Sequence, residues 1–382
     1  MKTELFAKEI QAPSAVGSYS PTDVQFLLKD LSDITLERGT EDREEAIQSG
    51  VHYSEMLPVE YQPTDDYIQL FHDTLEESAE KVASAAGVVA ELILRKRGKH
   101  TVLASLARAG TPIGILIKRY IQEVHHIDMP HYSISIIRGK GIDENAIRYM
   151  LYKHPDHEIQ FVDGWTGKGA IRKVLVDACA HMKDKYGVSL NDDLAVLADP
   201  GYCSETFGTR EDFLIPSACL NSTVSGLMSR TVLRDDLIGP NDFHGAKFYK
   251  EWLSKDLSNL FIDKVSSYFN RIEATAKETA SFFELHPEQT EATWKGIQDI
   301  KRIQQDYGID DVNLVKPGVG ETTRVLLRRV PWKILVDRLD NPNLRHILLL
   351  AEDRDVSVEV YPNLTYSCCG IIKPLRKGEV EA

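Results

Sequence analysis

The sequence predicts an α/β chain: a mostly parallel sheet with flanking helices, then a helical region, then a small C-terminal αβα layer. Three observations carry that expectation. Four short apolar runs, Thr101 to Leu106, Tyr132 to Ile137, Glu158 to Val162 and Leu194 to Ala198, read as core strands, with helical stretches between the first three pairs. Apolar residues recur three or four apart through Asp65 to Arg97 and again from Phe243 to about Glu284. The tail alternates strand-like and helix-like segments in a compact pattern.

In chain order, residues 1–62 read as an irregular arm with short helical pieces around Asp23 to Leu31 and Glu41 to Gln48. The arm ends in "GVHYSEMLPVEYQP", where His52, Tyr53, Ser54 and Glu55 suit either a substrate-contacting arm or a strap packed across the domain. One long helix or two fill Asp65 to Arg97. Residues 63–240 read as the main α/β domain, 241–306 as a helical region, and 307–382 as the small αβα domain. After the fourth strand, "ADPGYCSETFGTREDFLIPSACLNSTVSGLMSRTVL" has the polar density of a hood over the strand ends; the alternative is a surface connection with one buried strand at Phe213 to Ile215. In the tail, "VNLVKP", "WKILVD" and "VSVEVYP" read as strands, "GVGET" as a turn, and "TTRVLLRR" and "LRHILLLAEDRD" as helices.

Composition narrows the function classes. The 382 residues are 42% apolar and 27% charged, enough for substantial cores, and a net charge of −13 argues against indiscriminate nucleic-acid binding by the whole surface. Residues 314–382 carry a net charge of +2 against −15 for the rest, so the tail is the basic part of an acidic chain. An 18-residue apolar run and the apolar core of a signal peptide are both missing from the sequence, which points to a cytoplasmic protein with no membrane partner. Five cysteines without C-x-x-C spacing suggest reduced thiols and no zinc framework.

The chemistry concentrates in "HEIQFVDGWTGKGAIRKVL". A strand ends in Asp163, and a turn of Thr166, Gly167, Lys168 and Gly169 opens a helix, so unpaired N–H groups and the helix dipole converge where an anion such as phosphate would sit. The Walker pattern fails, because Gly164 has only two residues before Gly167-Lys168 and Gly169 follows the lysine. The plain alternative is a helix start capped by Asp163 and Thr166. A second βα turn, Arg108, Ala109, Gly110 and Thr111, follows the first core strand, with Thr111 placed to cap a helix whose first residue is Pro112. "RGKGID" adds Arg138 and Lys140 after the second strand.

The Asp163-to-Gly169 stretch resembles the phosphoribosyl-diphosphate (PRPP) loop of type I phosphoribosyltransferases, although that family usually has two adjacent acids where this chain has Asp163-Gly164. The resemblance implies a type I phosphoribosyltransferase-like fold and a PRPP-dependent glycosyltransferase acting on an unknown base or metabolite. It implies that Gly164 and Thr166 to Gly169 bind the 5′-phosphate and Asp163 orients the ribose. Arg108 to Thr111, with Lys140, would bind pyrophosphate, and Mg²⁺ would enter through PRPP. "GVGETTRVLLRR" resembles the Gly-rich turn and helix of Pelota-type RNA-binding domains, which implies structured RNA held by Gly318, Gly320, Glu321, Thr322, Arg324, Arg328 and Arg329. Together the two are similar to bacterial phosphoribosyltransferase-like proteins with a C-terminal Pelota domain from tellurium-resistance and stress gene neighbourhoods.

Members of that family are also labelled cysteine protease StiP, a rival reading that needs a cysteine activated by a histidine. Cys203, Cys219, Cys368 and Cys369 are its candidate nucleophiles, while His52, His131 and His244 are scattered. A non-catalytic, nucleotide-sensing RNA binder is the third reading.

Overall fold

The computed structural model describes residues 10–60 and 62–373. Its first sheet has six strands, β1 (Gln25–Phe26), β2 (Thr101–Leu106), β3 (His131–Ile134), β4 (Glu158–Trp165), β5 (Leu194–Ala198) and β6 (Phe207–Thr209), in the order β1-β3-β2-β4-β5-β6. Every pairing is parallel, with Leu103 opposite His131, Thr101 opposite Glu158 and Leu194 opposite Phe161. β2, β3 and β5 are buried along their whole length, the signature of a sheet covered on both faces.

The helices of this part are α1 (Thr40–Gln48), α2 (Asp65–Arg97), α3 (Gly110–His125), α4 (Glu144–Lys153) and α5 (Ala170–Tyr186). The chain runs from β2 through α3 to β3 on one side, then returns through α4 to β4 on the other side of β2. The carboxyl ends of β2 and β4 therefore flank a topological switch point, where open α/β sheets form a crevice. Helices α6 (Ser258–Ser266) and α7 (Phe269–Leu285) pack against α2 and α3 in the larger core.

The C-terminal part contains α8 (Lys295–Tyr307), β7 (Val315–Pro317), α9 (Val319–Arg328), β8 (Pro331–Val336), α10 (Arg345–Asp353), β9 (Ser357–Val360) and β10 (Cys368–Ile372). Its sheet order is β7-β10-β8-β9: β10 runs antiparallel to both neighbours, and β8 and β9 are parallel. Among the described residues no helix is long and apolar enough to cross a membrane.

Several local expectations are corrected. The Asp23 to Leu31 region, read as helical, contains β1 and the two-residue strand Lys29–Asp30, because Leu27 and Leu28 are buried on opposite sides of an extended chain. Thr111 does not cap α3: the helix begins at Gly110, and the Thr111 hydroxyl lies 2.7 Å from Ser133 Oγ. The Tyr132 to Ile137 run is interrupted at Ser135, while β4 continues past Asp163 to Trp165. Phe213 to Ile215 is buried without being a strand. Residues 243–257, read as helical, hold the short strand Gly245–Ala246 and a single 3₁₀ stretch, Lys250–Lys255, before α6. In the tail, Gly318 alone forms the turn and the helix starts at Val319.

A buried carboxylate takes part in joining the two sheets. Asp212, in the loop after β6, accepts the Val319 N–H at 3.0 Å and the Ser367 N–H at 2.9 Å, and its own carbonyl accepts the Ser367 hydroxyl at 2.8 Å. Gly318, at φ +90°, packs so closely that a β-carbon there would lie 2.3 Å from the Trp165 ring and 3.2 Å from Asp212 Oδ1. Burial pushes the Asp212 carboxyl up to about 7, so the proton stays on to near neutrality.

Asp212→Ala leaves two buried N–H groups without acceptors and should cost about 2 kcal/mol or more, measured by urea unfolding. The native state also holds the Asp212 proton where the unfolded chain has lost it, so stability should fall as pH rises from the ordinary 3.8 towards about 7. Asp212→Asn should flatten that slope; an unchanged slope would show that Asp212 does not titrate in the fold.

Candidate active site and interdomain cleft

Three adjoining cavities of about 240, 740 and 650 Å³ open at the switch point, and all three are walled by Asp163 and Glu321. The wall is composite. Arg108 and Ala109 come from the turn after β2, Asp163 and Trp165 from the end of β4, and Ile215, Ala218, Leu220 and Asn221 from the hood. The C-terminal domain closes the cleft with Gly320, Glu321 and Arg324 of α9. Sequence reading assigned the two βα turns and the α9 element to different ligands; the fold places them face to face.

The turn groups are largely committed to the protein itself. The Thr166 hydroxyl donates to Asp199 Oδ1 at 2.5 Å, and Asp199 also accepts the N–H groups of Cys203 and Ser204. Lys168 Nζ donates to the Val312 carbonyl at 2.5 Å, and the Gly167 carbonyl accepts the Tyr366 hydroxyl at 3.0 Å, both across the domain boundary. Gly169, at φ +76°, would place a β-carbon 2.3 Å from Trp294 and 2.8 Å from Cys203 Sγ. The C-terminal domain thus packs onto the turn expected to receive a phosphate.

Arg108 is likewise engaged, donating to Glu60 Oε1 and to the Met228 carbonyl, each at 3.0 Å. Glu60 also accepts the Ser222 N–H at 3.1 Å, so this pair ties the N-terminal strap to the hood. Gly110 and Thr111 are buried in the first turn of α3, and Gly164 is buried at the end of β4. Lys140 does not reach the cleft: it lines a separate depression with Glu144 and His181.

Of the residues expected on the RNA element, Gly318 and Thr322 are buried, and Gly320, Glu321, Arg324 and Arg329 line the cleft. Arg324 pairs with Glu321 at 3.1 Å and donates to the Ala218 carbonyl at 3.2 Å. Arg328 closes α9, and its side chain lies outside the described residues.

Two groups in the cleft titrate near neutrality. Burial pushes the Asp163 carboxyl up to about 7, against one N–H donated by Gly164 at 2.8 Å. Burial, then the nearby Lys316 ammonium, brings Lys168 down to about 8. Among the described residues no group of three or more His, Cys, Asp or Glu is placed to hold a metal ion.

The thiols divide by position. Burial pushes Cys179, Cys203 and Cys369 up to about 12 and Cys368 well above its ordinary value. Cys219 is buried in the hood between Ala218 and Leu220, both of which face the smallest of the three cavities. Its N–H donates to the Pro216 carbonyl at 3.0 Å, closing a 3₁₀ turn. Among the described residues no histidine lines the three cavities. His131 lies 2.7 Å from both Ser105 Oγ and the Asp23 carbonyl, His244 meets Ser135, and His52 meets Ser54.

Residues 17–266 match the family described as tellurite-like stress resistance cysteine protease StiP. The cysteine protease StiP of Acinetobacter baylyi is 32% identical over 387 residues, an alignment covering 98% of each chain. This chain belongs to the StiP family. Residues 294–374 of this StiP-family chain match the PELOTA RNA binding domain.

These matches overturn the transferase expectation. A StiP-family chain, similar end to end to a protein named a cysteine protease, gives no support to PRPP-dependent glycosyl transfer or to PRPP and nucleotide partners. They favour the protease reading that the sequence placed second, and the family's description carries the stress-resistance association.

The sequence assigns no separate role to Glu60, Asp212, Arg230 or Lys316. Arg230 sits singly at the end of the hood stretch and Lys316 singly in the strand "VNLVKP", with no spacing to flag either. The Glu60 carboxylate is only 5% exposed, so Arg108→Ala should cost about 3 kcal/mol by leaving a buried charge unpaired. Thermal unfolding of Arg108→Ala beside the Arg108→Ala/Glu60→Gln double variant measures this; the double variant should recover much of the loss, and additive losses would refute the pairing.

Proposed function

We propose that this protein is a cysteine-dependent peptidase of the StiP type, with the interdomain cleft as its substrate site and an RNA-holding C-terminal domain. The end-to-end similarity to the protein named cysteine protease StiP carries the peptidase reading. The match of residues 294–374 to the PELOTA RNA binding domain supports the RNA part.

Cys219 is the nucleophile in this reading, because it is the thiol whose chain neighbours on both sides wall the cavity. Its sulfur attacks the peptide carbonyl carbon, the amine leaves with a proton, and water then hydrolyses the thioester to release the acid and restore the thiol. Asp163 takes the part expected of a histidine, which none of the described residues lining the cavities provides, and supplies the proton traffic. A carboxyl at about 7 on the same cavity wall matches the operating pH and serves as base in attack and as acid to the leaving amine. The cavity is mixed in character, with Phe213, Ile215 and Leu220 beside Ser217, Asn221 and Ser225, which suits an extended peptide needing both apolar contact and hydrogen bonds.

Cleavage of an unfolded, fluorescently labelled protein should fall by about 1000-fold or more in Cys219→Ala and survive in Cys203→Ser. Full cleavage by Cys219→Ala would remove Cys219 from the mechanism. The wild-type rate should climb as pH rises through about 7 and Asp163 loses its proton, and Asp163→Asn should lose that limb. A limb that persists in Asp163→Asn would assign the base elsewhere.

A further inference from the structure

The wall of the largest cavity is far more cationic than a chain of net charge −13 would suggest. It presents Arg108, Arg138, Arg230, Lys316, Arg324 and Arg329 against the carboxyl groups of Glu60, Asp163 and Glu321. The balance shifts further once pairs are removed. Glu60 is taken by Arg108 and Glu321 by Arg324, while Asp163 keeps its proton to about 7. Among the described residues no carboxylate pairs with Arg138, Arg230, Lys316 or Arg329.

These four cations come from both walls. Arg138 lies in the loop after β3 and Arg230 in the hood, whereas Lys316 is on β7 and Arg329 follows α9. The same cations act on Lys168, whose proton affinity is lowered first by burial and then by Lys316, with Arg138 adding to it. Aromatic faces flank the charges. Tyr53 lines the same cavity, with the Arg230 guanidinium 5.5 Å from its ring centre, and Trp165 lines the adjoining one with Lys168 and Arg138.

We propose that the interdomain cleft binds a single strand of RNA, whose phosphates lie along Arg138 and Arg230 of the α/β domain and Lys316 and Arg329 of the C-terminal domain. Unpaired cations spread over two facing walls suit a repeating anion, and nearby aromatic rings suit unstacked bases. The proposal rests on the RNA reading of the C-terminal domain and extends it: the α/β domain supplies half of the phosphate contacts, and RNA lies across the mouth of the peptidase cleft. A bound strand would compete with, or gate, entry of a peptide.

Fluorescence anisotropy of the full-length protein with a labelled single-stranded RNA of about 12 nucleotides, over a salt series, tests this. Arg138→Glu and Arg230→Glu should each weaken binding by about tenfold and flatten the salt dependence by about 0.7 in log–log slope. Arg354→Glu, an exposed reversal on α10's end away from the cleft, should change neither; melting curves of all three variants check that the fold is intact. RNA binding that is unchanged in Arg138→Glu and Arg230→Glu would overturn the cleft assignment while leaving the RNA reading in place. Absence of RNA binding by the wild-type chain would remove both. A poly-glutamate peptide that binds as tightly as RNA, with the same dependence on Arg138, would overturn RNA in favour of an acidic polypeptide.

Discussion

The docking of the C-terminal domain through Asp212 is the constraint on which the site depends. One carboxyl reaches from the loop after β6 into the start of α9 and the approach to β10, where it accepts two main-chain N–H groups that would otherwise be buried without partners. Gly318 is required there because its positive φ and the absent β-carbon let α9 approach Trp165. With α9 held in that position, Glu321 and Arg324 become cleft residues and the Thr166–Gly169 turn becomes a domain contact. Without it, the carboxyl ends of β2 and β4 would form an open crevice of the ordinary α/β kind.

The same arrangement accounts for the electrostatics. Desolvation where the domains meet raises Asp163 and Asp212 and lowers Lys168, so the cleft carries fewer negative charges at neutral pH than its composition suggests. Arg108 and Glu60 neutralise each other while securing strap and hood. What is left over is positive and faces the cleft from both sides, in a protein that is acidic elsewhere.

Much of the fold was legible because it is written in local periodicity. The runs at Thr101–Leu106 and Leu194–Ala198 are strands with the bounds read from sequence, and Asp65–Arg97 is one unbroken helix. Elements set by tertiary pairing were not legible. β1 is two residues stabilised by pairing with β3, and β10 lies in "YSCCGIIKP", which carries no alternation but is central to the second sheet. The site was half legible for the same reason. Strand, acid and glycine turn point to the carboxyl ends of β2 and β4, where Arg108 and Asp163 share cavity walls, but those features do not encode what covers them. The turn's hydrogen-bonding groups are spent on Asp199, Val312 and Tyr366, contacts separated by up to 199 residues, and a motif cannot announce partners so far away in the chain. The residues that make the cleft cationic, Arg230 and Lys316, have no motif at all.

Held by the Asp212 contacts, the two domains form one folded unit, so that the cleft is a permanent feature of the molecule. Amide hydrogen exchange read at Val319 and Ser367 tests it most directly. Both N–H groups should exchange as slowly as those of β2 and β4 at the heart of the first sheet, opening only with global unfolding. Fast exchange at Val319 and Ser367 while β2 and β4 remain protected would mean that the C-terminal domain undocks on its own and that the cleft is transient.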